Sequence, residues 1–184
     1  MKFTLHYRGP LKANGKPRHK HEIRKHFHKQ LVNLWNQKPL AEQKMLLEVP
    51  KKKGHYSLVR DVGNLKFAPL ITEQMDVIAE LKVTMLRPES PGNILAPGGD
   101  IDNRMKTLFD ALTLPPHENQ VPPEVTQEPE FDPLFLCVFE DDNLITDLTV
   151  RTGQLLEPSD DNSEVVANIE ITTRILRTTF GNMA

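Results

Sequence analysis

The densest group of chemically capable side chains lies between Gly98 and Lys106, where the sequence reads GGDIDNRMK. Asp100 and Asp102 are two residues apart, and in an extended segment this spacing sends both carboxylates to the same side of the chain. Two such carboxylates are suited to a hard divalent cation, which prefers oxygen ligands. An alternative role for Asp102 is the N-cap of the helix that follows, accepting a backbone N–H. That role does not account for Asp100.

The segment from Asp102 to Leu112 is predicted to form a short helix, and its residues sort onto two faces. Asn103, Lys106 and Asp110 fall together on a polar face, above the two entry aspartates. Lys106 has two interpretations: an exposed ion pair with Asp110, worth a few tenths of a kcal/mol, or stabilisation of charge on a transferring phosphoryl group. The apolar stripe on the other face is Met105, Leu108, Phe109 and Leu112.

A second acidic node, Glu140-Asp141-Asp142, stands between the apolar runs 134–139 and 144–150. Taken alone, three adjacent acids are typical of a solvated turn. Together with the pair at 100 and 102, they predict three or four aspartates converging from two segments. Such a cluster suits Mg²⁺, which is held by carboxylate oxygens and keeps several waters.

Other metal and phosphate chemistries fit less well. Zinc favours His or Cys ligands, and the histidines lie far away in sequence. A calcium EF-hand loop beginning at Asp100 needs Gly and Glu where this chain has Met105 and Ala111. An Asp-x-Asp phosphatase nucleophile normally follows a strongly apolar strand, whereas residues 96–99 read APGG.

In their order along the chain, these motifs resemble the RusA family of Holliday-junction resolvases, many of them prophage-borne. The resemblance covers mainly residues 100–150. It implies an α+β homodimer that cuts four-way DNA junctions with Mg²⁺, for which Mn²⁺ is expected to substitute. By position, Asp100, Asp102 and Asp142 correspond to metal-ligand carboxylates, Lys106 to a catalytic lysine, and Asp141 to a neighbouring acid at the metal.

Charge is segregated along the chain, although the net charge is only −2. Residues 1–66 hold 16 of the 23 Lys and Arg and 4 of the 25 acids, and six of the seven histidines. A basic half predicts a surface that attracts a polyanion; mutual neutralisation of the two halves in the fold explains the split equally well. The residues expected to contact DNA are Lys12, Lys16, Arg18, Lys20, Arg24, Lys25, Lys29, Lys51, Lys52, Lys53 and Arg104.

The hydrophobic pattern predicts one α+β domain over residues 1–184, with a mixed or antiparallel sheet and two main helices. Lys2 to Tyr7 alternates like a strand, and apolar residues recur at helical spacing over 20–37. The other face of this helix carries Arg24, Lys25, His28 and Lys29, and a solvated surface explains it as simply as contact with DNA. Residues 113–133 hold six of the 15 prolines and are predicted to be a surface insertion. Further strands are predicted at 56–60, 65–71, 134–139, 144–150 and 165–176, with a basic turn at 50–54. Residues 75–86 are ambiguous between helix and strand.

The rest of the sequence argues for a protein of the cytoplasm. No apolar run approaches the ~20 residues of a membrane helix, and the first eight residues, MKFTLHYR, have no signal-peptide pattern. The single cysteine, Cys137, lies in an apolar run and is expected to be buried.

These features together predict metal-dependent phosphodiester hydrolysis, with the basic half gripping the DNA backbone. Two rival interpretations stay open. One is a DNA-binding accessory protein of the same fold that does not cut, and the other is a nuclease or nucleotide phosphohydrolase without junction selectivity.

Overall fold

Two mixed β-sheets and two α-helices make up the described chain, which has an α+β fold. The computed structural model describes residues 1–49, 56–89, 101–122, 134–157, 159 and 161–178. The elements in chain order are β1 (Lys2–Pro10), α1 (Pro17–Trp35), β2 (Arg60–Val62), β3 (Leu65–Ile71), β4 (Val77–Arg87), α2 (Ile101–Leu112), β5 (Phe135–Phe139), β6 (Ile145–Gln154) and β7 (Glu164–Ile175). Short 3-10 turns occur at Leu40–Leu47, Glu73–Met75, Glu118–Gln120 and Asp142–Leu144.

The larger sheet has the strand order β1-β7-β4-β6. β7 is antiparallel to both β1 and β4, and β4 is parallel to β6. Burial alternates along β1, β4 and β7, because successive side chains of a strand point to opposite faces. One face of these strands therefore supplies the core.

The smaller sheet, β2-β3-β5, carries the chain to the acidic node. β2 and β3 pair antiparallel through a tight turn in which Gly63 has φ +57°, a conformation that favours glycine. β5 is parallel to β3 and buried along its whole length, which explains why its five residues, FLCVF, are all apolar. Cys137 is buried there as expected, and burial raises its pKa to about 12.

The helix α1 packs its apolar stripe into the main core, but it also buries polar side chains. Ile23, Phe27, Leu31 and Trp35 are buried as the spacing predicts. Contrary to the sequence-based expectation of a solvated opposite face, the side chains of Arg24 and His28 are buried as well. The ring of His28 stacks against Phe135 at 4.7 Å, and its Nδ1 accepts a hydrogen bond from the Leu136 N–H at 3.0 Å.

Most predicted elements are confirmed. The strands β1, β3, β5, β6 and β7 and both helices lie where expected within a few residues, and the ambiguous segment 75–86 forms β4. The strand predicted at 56–60 is wrong, since a strand begins only at Arg60. The basic turn predicted at 50–54 lies outside the described residues, as do residues 123–133 of the proline-rich segment. No helix of the described ranges is long and apolar enough to span a bilayer.

Candidate active site

A cleft of about 590 Å³ lies where α1, α2, β2 and the end of β5 meet. Both signs of charge line it: three of its four basic residues come from residues 1–66, and four of its five acidic residues come from the rest of the chain. The basic residues are Lys20, Arg24, Arg60 and Lys106, and the acidic ones are Asp61, Asp110, Glu140, Asp141 and Asp142. The fold thus brings the segregated charges of the chain together at one place.

Asp110 joins the two helices at the floor of the cleft. Its carboxylate forms a salt bridge with Lys20 Nζ at 2.7 Å, and its backbone carbonyl accepts a hydrogen bond from Arg24 Nη2 at 2.6 Å. Lys106 therefore does not form the ion pair with Asp110 that the four-residue spacing allows. Among the described residues, no carboxylate lies within salt-bridge distance of the Lys106 ammonium group. Its charge faces the cleft.

Arg24 is a buried cation beneath this ion pair. Its side chain is 2% exposed, and within the described ranges Nε and Nη1 have no hydrogen-bond partner. Burial lowers its pKa to about 10, while the Cys137 and Asp110 side chains act in the opposite direction. At neutral pH the guanidinium stays charged. Arg24 therefore gives the cleft floor a fixed positive charge, and it does not extend into solvent as a DNA-gripping side chain.

The acidic node follows directly from the end of β5, and its first residue is structural. The Glu140 N–H donates to the Ile71 carbonyl, and the Glu140 carboxylate accepts from Arg60 Nε and from the Glu73 N–H, each at 3.1 Å. These bonds hold the turn against β3. Arg60, which sequence reasoning did not select, is therefore the residue that positions the node.

Asp141 and Asp142 then diverge in role. Asp141 accepts a hydrogen bond from the Asn143 N–H at 2.9 Å and caps the short 3-10 turn. The Asp142 pKa is raised above its ordinary value by partial burial and by the charges of Asp141 and Asp110. Crowded carboxylates without a nearby cation destabilise one another. Asp142 is thus an acid whose ionised form is disfavoured by its two acidic neighbours.

The predicted metal-ligand residues are only partly brought together. Asp142, Asp141 and Lys106 line the cleft, whereas Asp102 does not. Asp102 is exposed in the first turn of α2, which begins at Ile101, so it does not stand at the N-cap as the alternative interpretation required. Asp100 lies outside the described residues. Within the described ranges, no group of three or more His, Cys, Asp or Glu side chains is arranged to hold a metal ion. The donor chemistry fits a hard cation, but these residues alone do not complete a metal site.

A basic loop, residues 11–16, is fixed to the helix that carries Lys106. The Gly15 N–H donates to Thr107 Oγ1 at 2.9 Å, and a Cβ added at Gly15 would lie 2.7 Å from Thr107 Cγ2. Glycine is required by this close approach. Lys12 and Lys16 on the loop, and Arg18 just after it, are exposed. The loop thus holds exposed positive charge beside α2.

The other residues predicted to contact DNA have mixed positions. Lys29 is exposed and Lys25 is half-buried beside Glu22. Arg104 corrects the expectation of a DNA contact, because its side chain is fully buried and donates to Glu89 Oε1 at 3.0 Å. Lys51, Lys52 and Lys53 lie outside the described residues.

Comparisons of this chain with models of protein families, with curated proteins and with solved structures find no match. The resemblance to the RusA family therefore rests on the ordered motifs between residues 100 and 150 alone.

Proposed function

We propose that this protein is a Mg²⁺-dependent endodeoxyribonuclease that resolves four-way DNA junctions by paired phosphodiester hydrolysis, acting as a homodimer. The observation that carries the proposal is the cleft. Lys106 and Asp142 both line it, together with basic residues of α1 and the rest of the acidic node. Phosphodiester hydrolysis needs both charge types at one place: carboxylates for a cation and fixed positive charge for the phosphate.

Each cleft residue has a role in this proposal. Lys106, which is not neutralised by a described carboxylate, stabilises negative charge on the reacting phosphate. Lys20 holds the Asp110 carboxylate at 2.7 Å, and Arg24 adds positive charge beneath it. Asp142, together with Asp100 and Asp102, would hold a divalent cation. When bound, such an ion neutralises phosphate charge and makes a coordinated water more acidic.

The exposed bases near the cleft supply backbone affinity for DNA. Lys12, Lys16 and Arg18 lie on or beside the loop that docks on α2, and phosphate contacts of this kind bind without reading sequence. Because each phosphate contact releases counterions, the affinity for DNA is expected to fall steeply as the salt concentration rises. Binding of a small nucleotide would not require basic side chains spread over a surface of this length.

A second candidate is a DNA-binding protein that does not cut. It is favoured by the observation that no three ligating side chains converge among the described residues. The two candidates share the basic surface and differ only in what the acids of the cleft do.

The deciding experiment is incubation of a labelled four-way junction, beside a linear duplex with the same arms, in Mg²⁺, Mn²⁺ or EDTA. Nicking of the junction alone, at symmetric positions and only with metal, would support a resolvase. Cutting of both substrates would indicate a nuclease without junction selectivity. Tight binding without cutting would favour the second candidate.

Two variants locate the chemistry within that assay. Asp142→Asn and Lys106→Met are expected to abolish cutting and to retain junction binding. Glu42→Gln and Lys44→Met make the same charge changes at exposed positions of the 40–47 turn, which does not line the cleft, and should cut normally. Equal loss of activity in the control variants would contradict the assignment to the cleft.

A further inference from the structure

The cleft has an uncharged wall beside its charged groups. The side chains of this wall are apolar or neutral and polar, in contrast to the acids and bases that line the rest of the cleft. The members of the uncharged wall are Val62, Thr113, Leu114, Pro115, Pro116 and Gln120. All of them except Val62 belong to the start of the proline-rich segment, which therefore takes part in the cleft.

The chain that leaves α2 is bonded to the end of β5. The Leu114 N–H donates to the Phe139 carbonyl at 2.8 Å, and Thr113 forms a parallel bridge with the same residue. Phe139 directly precedes the acidic node. These bonds place Pro115 and Pro116 beside the node, where both line the cleft.

A small core beneath the uncharged wall holds it in place. Val121 is buried in this core together with Val62, and Leu114 packs against it. The Glu118 side chain rests on the turn of the β2–β3 hairpin, since a Cβ added at Gly63 would lie 2.6 Å from its Cγ. The wall is therefore built into the fold.

The uncharged wall offers an apolar surface and one side-chain amide. The rings of Pro115 and Pro116 are rigid and have no N–H that would need a partner. Gln120 is half-buried, and its side chain forms no hydrogen bond within the described ranges. An amide side chain has both donors and an acceptor. The ligand that suits this wall has apolar faces and an edge with both kinds of hydrogen-bonding group.

A nucleotide divides charge in the same way as the cleft. Its phosphate is charged, whereas its base is uncharged, with apolar faces and hydrogen-bonding groups along its edge. Enzymes that hold an extruded base stack side chains on its faces and hydrogen-bond its edge. The cleft volume of about 590 Å³ lies in the range of about 300–1,000 Å³ that is usual for ligand pockets. Lys106 and Gln120 line the same cleft, so one nucleotide offers a partner to each.

We propose that the uncharged wall binds an unpaired DNA base next to the reacting phosphate, with the Gln120 amide hydrogen-bonded to the edge of the base. Pro116, whose ring is exposed, covers one face of that base. A base within a duplex does not fit, because its edge is bonded to its partner and its faces are covered by the stack. The inference rests on the proposed function, which places the phosphate at Lys106.

Binding of an extruded base gives the cleft a means of selecting DNA by its structure. Moving a base out of a continuous duplex costs free energy, and the cost is least where the base is already unpaired. Bases at the exchange point of a four-way junction border an interrupted stack, so they are released more easily than those of a linear duplex. The uncharged wall therefore favours cutting near the exchange point.

The test removes the base and the amide separately and together. In two labelled four-way junctions, an abasic tetrahydrofuran residue replaces the nucleotide on one side or on the other side of the cleavage site. At one of these positions the wild-type chain should cut about tenfold more slowly. Gln120→Ala should slow cleavage of the intact junction, but the difference between its rates on intact and abasic DNA should be much smaller. Pro116→Gly should also reduce this difference.

A matched control variant removes a neighbouring amide. Asn119 is exposed and does not line the cleft, so Asn119→Ala should cut both kinds of junction as the wild-type chain does. Thermal melts establish that each variant is folded.

A second readout does not depend on cleavage. In EDTA, binding of a short single-stranded oligonucleotide that contains 2-aminopurine is followed by fluorescence, with intact or abasic strands of equal length as competitors. The intact strand should compete about tenfold better for the wild-type chain. This advantage should shrink in Gln120→Ala and persist in Asn119→Ala.

The two readouts separate failure of this inference from failure of the proposed function. Abasic substitution without effect on either side of the cut, or an equal effect in the wild-type chain and Gln120→Ala, would overturn the base site. Base-dependent binding through Gln120 by a chain that cuts no DNA would support the base site and refute the nuclease. Cutting that is indifferent to the base would do the reverse.

Discussion

Two buried histidines predict that the folded chain loses stability in mild acid. His21 and His28 are 1% and 7% exposed and both pack against the ring of Phe135. Burial lowers the pKa of His21 to about 3 and that of His28 to about 4, from an ordinary value of 6.5. Protonation of His28 Nδ1 would also remove the acceptor for the Leu136 N–H.

The sign and size of the effect follow from proton binding. Below pH 6.5 the unfolded chain takes up protons on both histidines, whereas the folded chain stays neutral there until the pH approaches 4. Stability therefore falls as the pH is lowered. Between pH 7 and pH 5 the loss is about 2 kcal/mol for each histidine, or about 4 kcal/mol for both. For a chain of this size that corresponds to a melting temperature lower by roughly 10 °C.

The assay is urea unfolding followed by circular dichroism at pH 7 and pH 5, at constant ionic strength. The comparison is with the double variant His21→Gln/His28→Asn, in which the asparagine keeps an acceptor for the Leu136 N–H. The variant is less stable overall, but its stability should change by about 4 kcal/mol less between the two pH values. His117→Gln replaces an exposed histidine and is the matched control.

Equal pH dependence in the wild-type chain and the double variant would refute the reasoning. Should the double variant not fold, His28→Asn alone is expected to remove about half of the difference. Titration of the histidine ring signals by NMR gives an independent check, since the rings of His21 and His28 should remain neutral at pH 5.

Three further predictions concern the cleft and its surroundings. Lys106→Met should lower cleavage of a four-way junction by at least 100-fold with little change in binding; a loss confined to affinity would place this lysine outside the chemistry. Replacing Lys12, Lys16 and Arg18 by alanine should reduce the slope of log affinity against log salt by about 2 to 3, as measured by fluorescence anisotropy on duplex DNA, and an unchanged slope would contradict a backbone-gripping role. Gly15→Ala forces a methyl group against Thr107 and should destabilise the fold by about 1–3 kcal/mol in thermal or urea unfolding; a neutral result would show that the loop is not held as described.

How far the sequence predicts the fold depends on the kind of signal. β5 and β7 are predicted well, because a short apolar run and a regular alternation are direct consequences of burial. The strand predicted at 56–60 is wrong because its polar groups have distant partners. The Tyr56 hydroxyl donates to the Gln74 carbonyl, and Ser57 Oγ donates to the Glu48 carbonyl. Such long-range contacts leave no periodic pattern in the sequence.

The buried side of α1 shows where residue type misled the prediction. His21, Arg24, His28, Leu31 and Trp35 follow one another at intervals of three or four residues, which is the spacing of one helix face. The spacing placed Arg24 and His28 on the buried stripe, whereas their polarity suggested solvent. What stabilises Arg24 there is a carbonyl 86 positions away on α2, and that partner is visible only in the fold.

The candidate site was predicted in part for the same reason. Lys106, Asp141 and Asp142 were selected from their local motifs, and all three line the cleft. The role of Asp110 was missed because its salt-bridge partner, Lys20, belongs to the basic half of the chain. Local spacing paired Asp110 with Lys106 instead.

The position of β7 in the larger sheet sets the order in which its strands can pair as the chain is synthesised. β7 separates β1 from β4, with Lys2 opposite Thr172 and Val77 opposite Ile175. During synthesis, β1 therefore has no neighbouring strand until residues 164–175 have emerged. Long-range pairing of this kind slows folding, since a large loop must close before its contacts are formed. The nascent chain must remain unaggregated over that interval, and the excess of positive charge in its first 66 residues provides the repulsion that favours this.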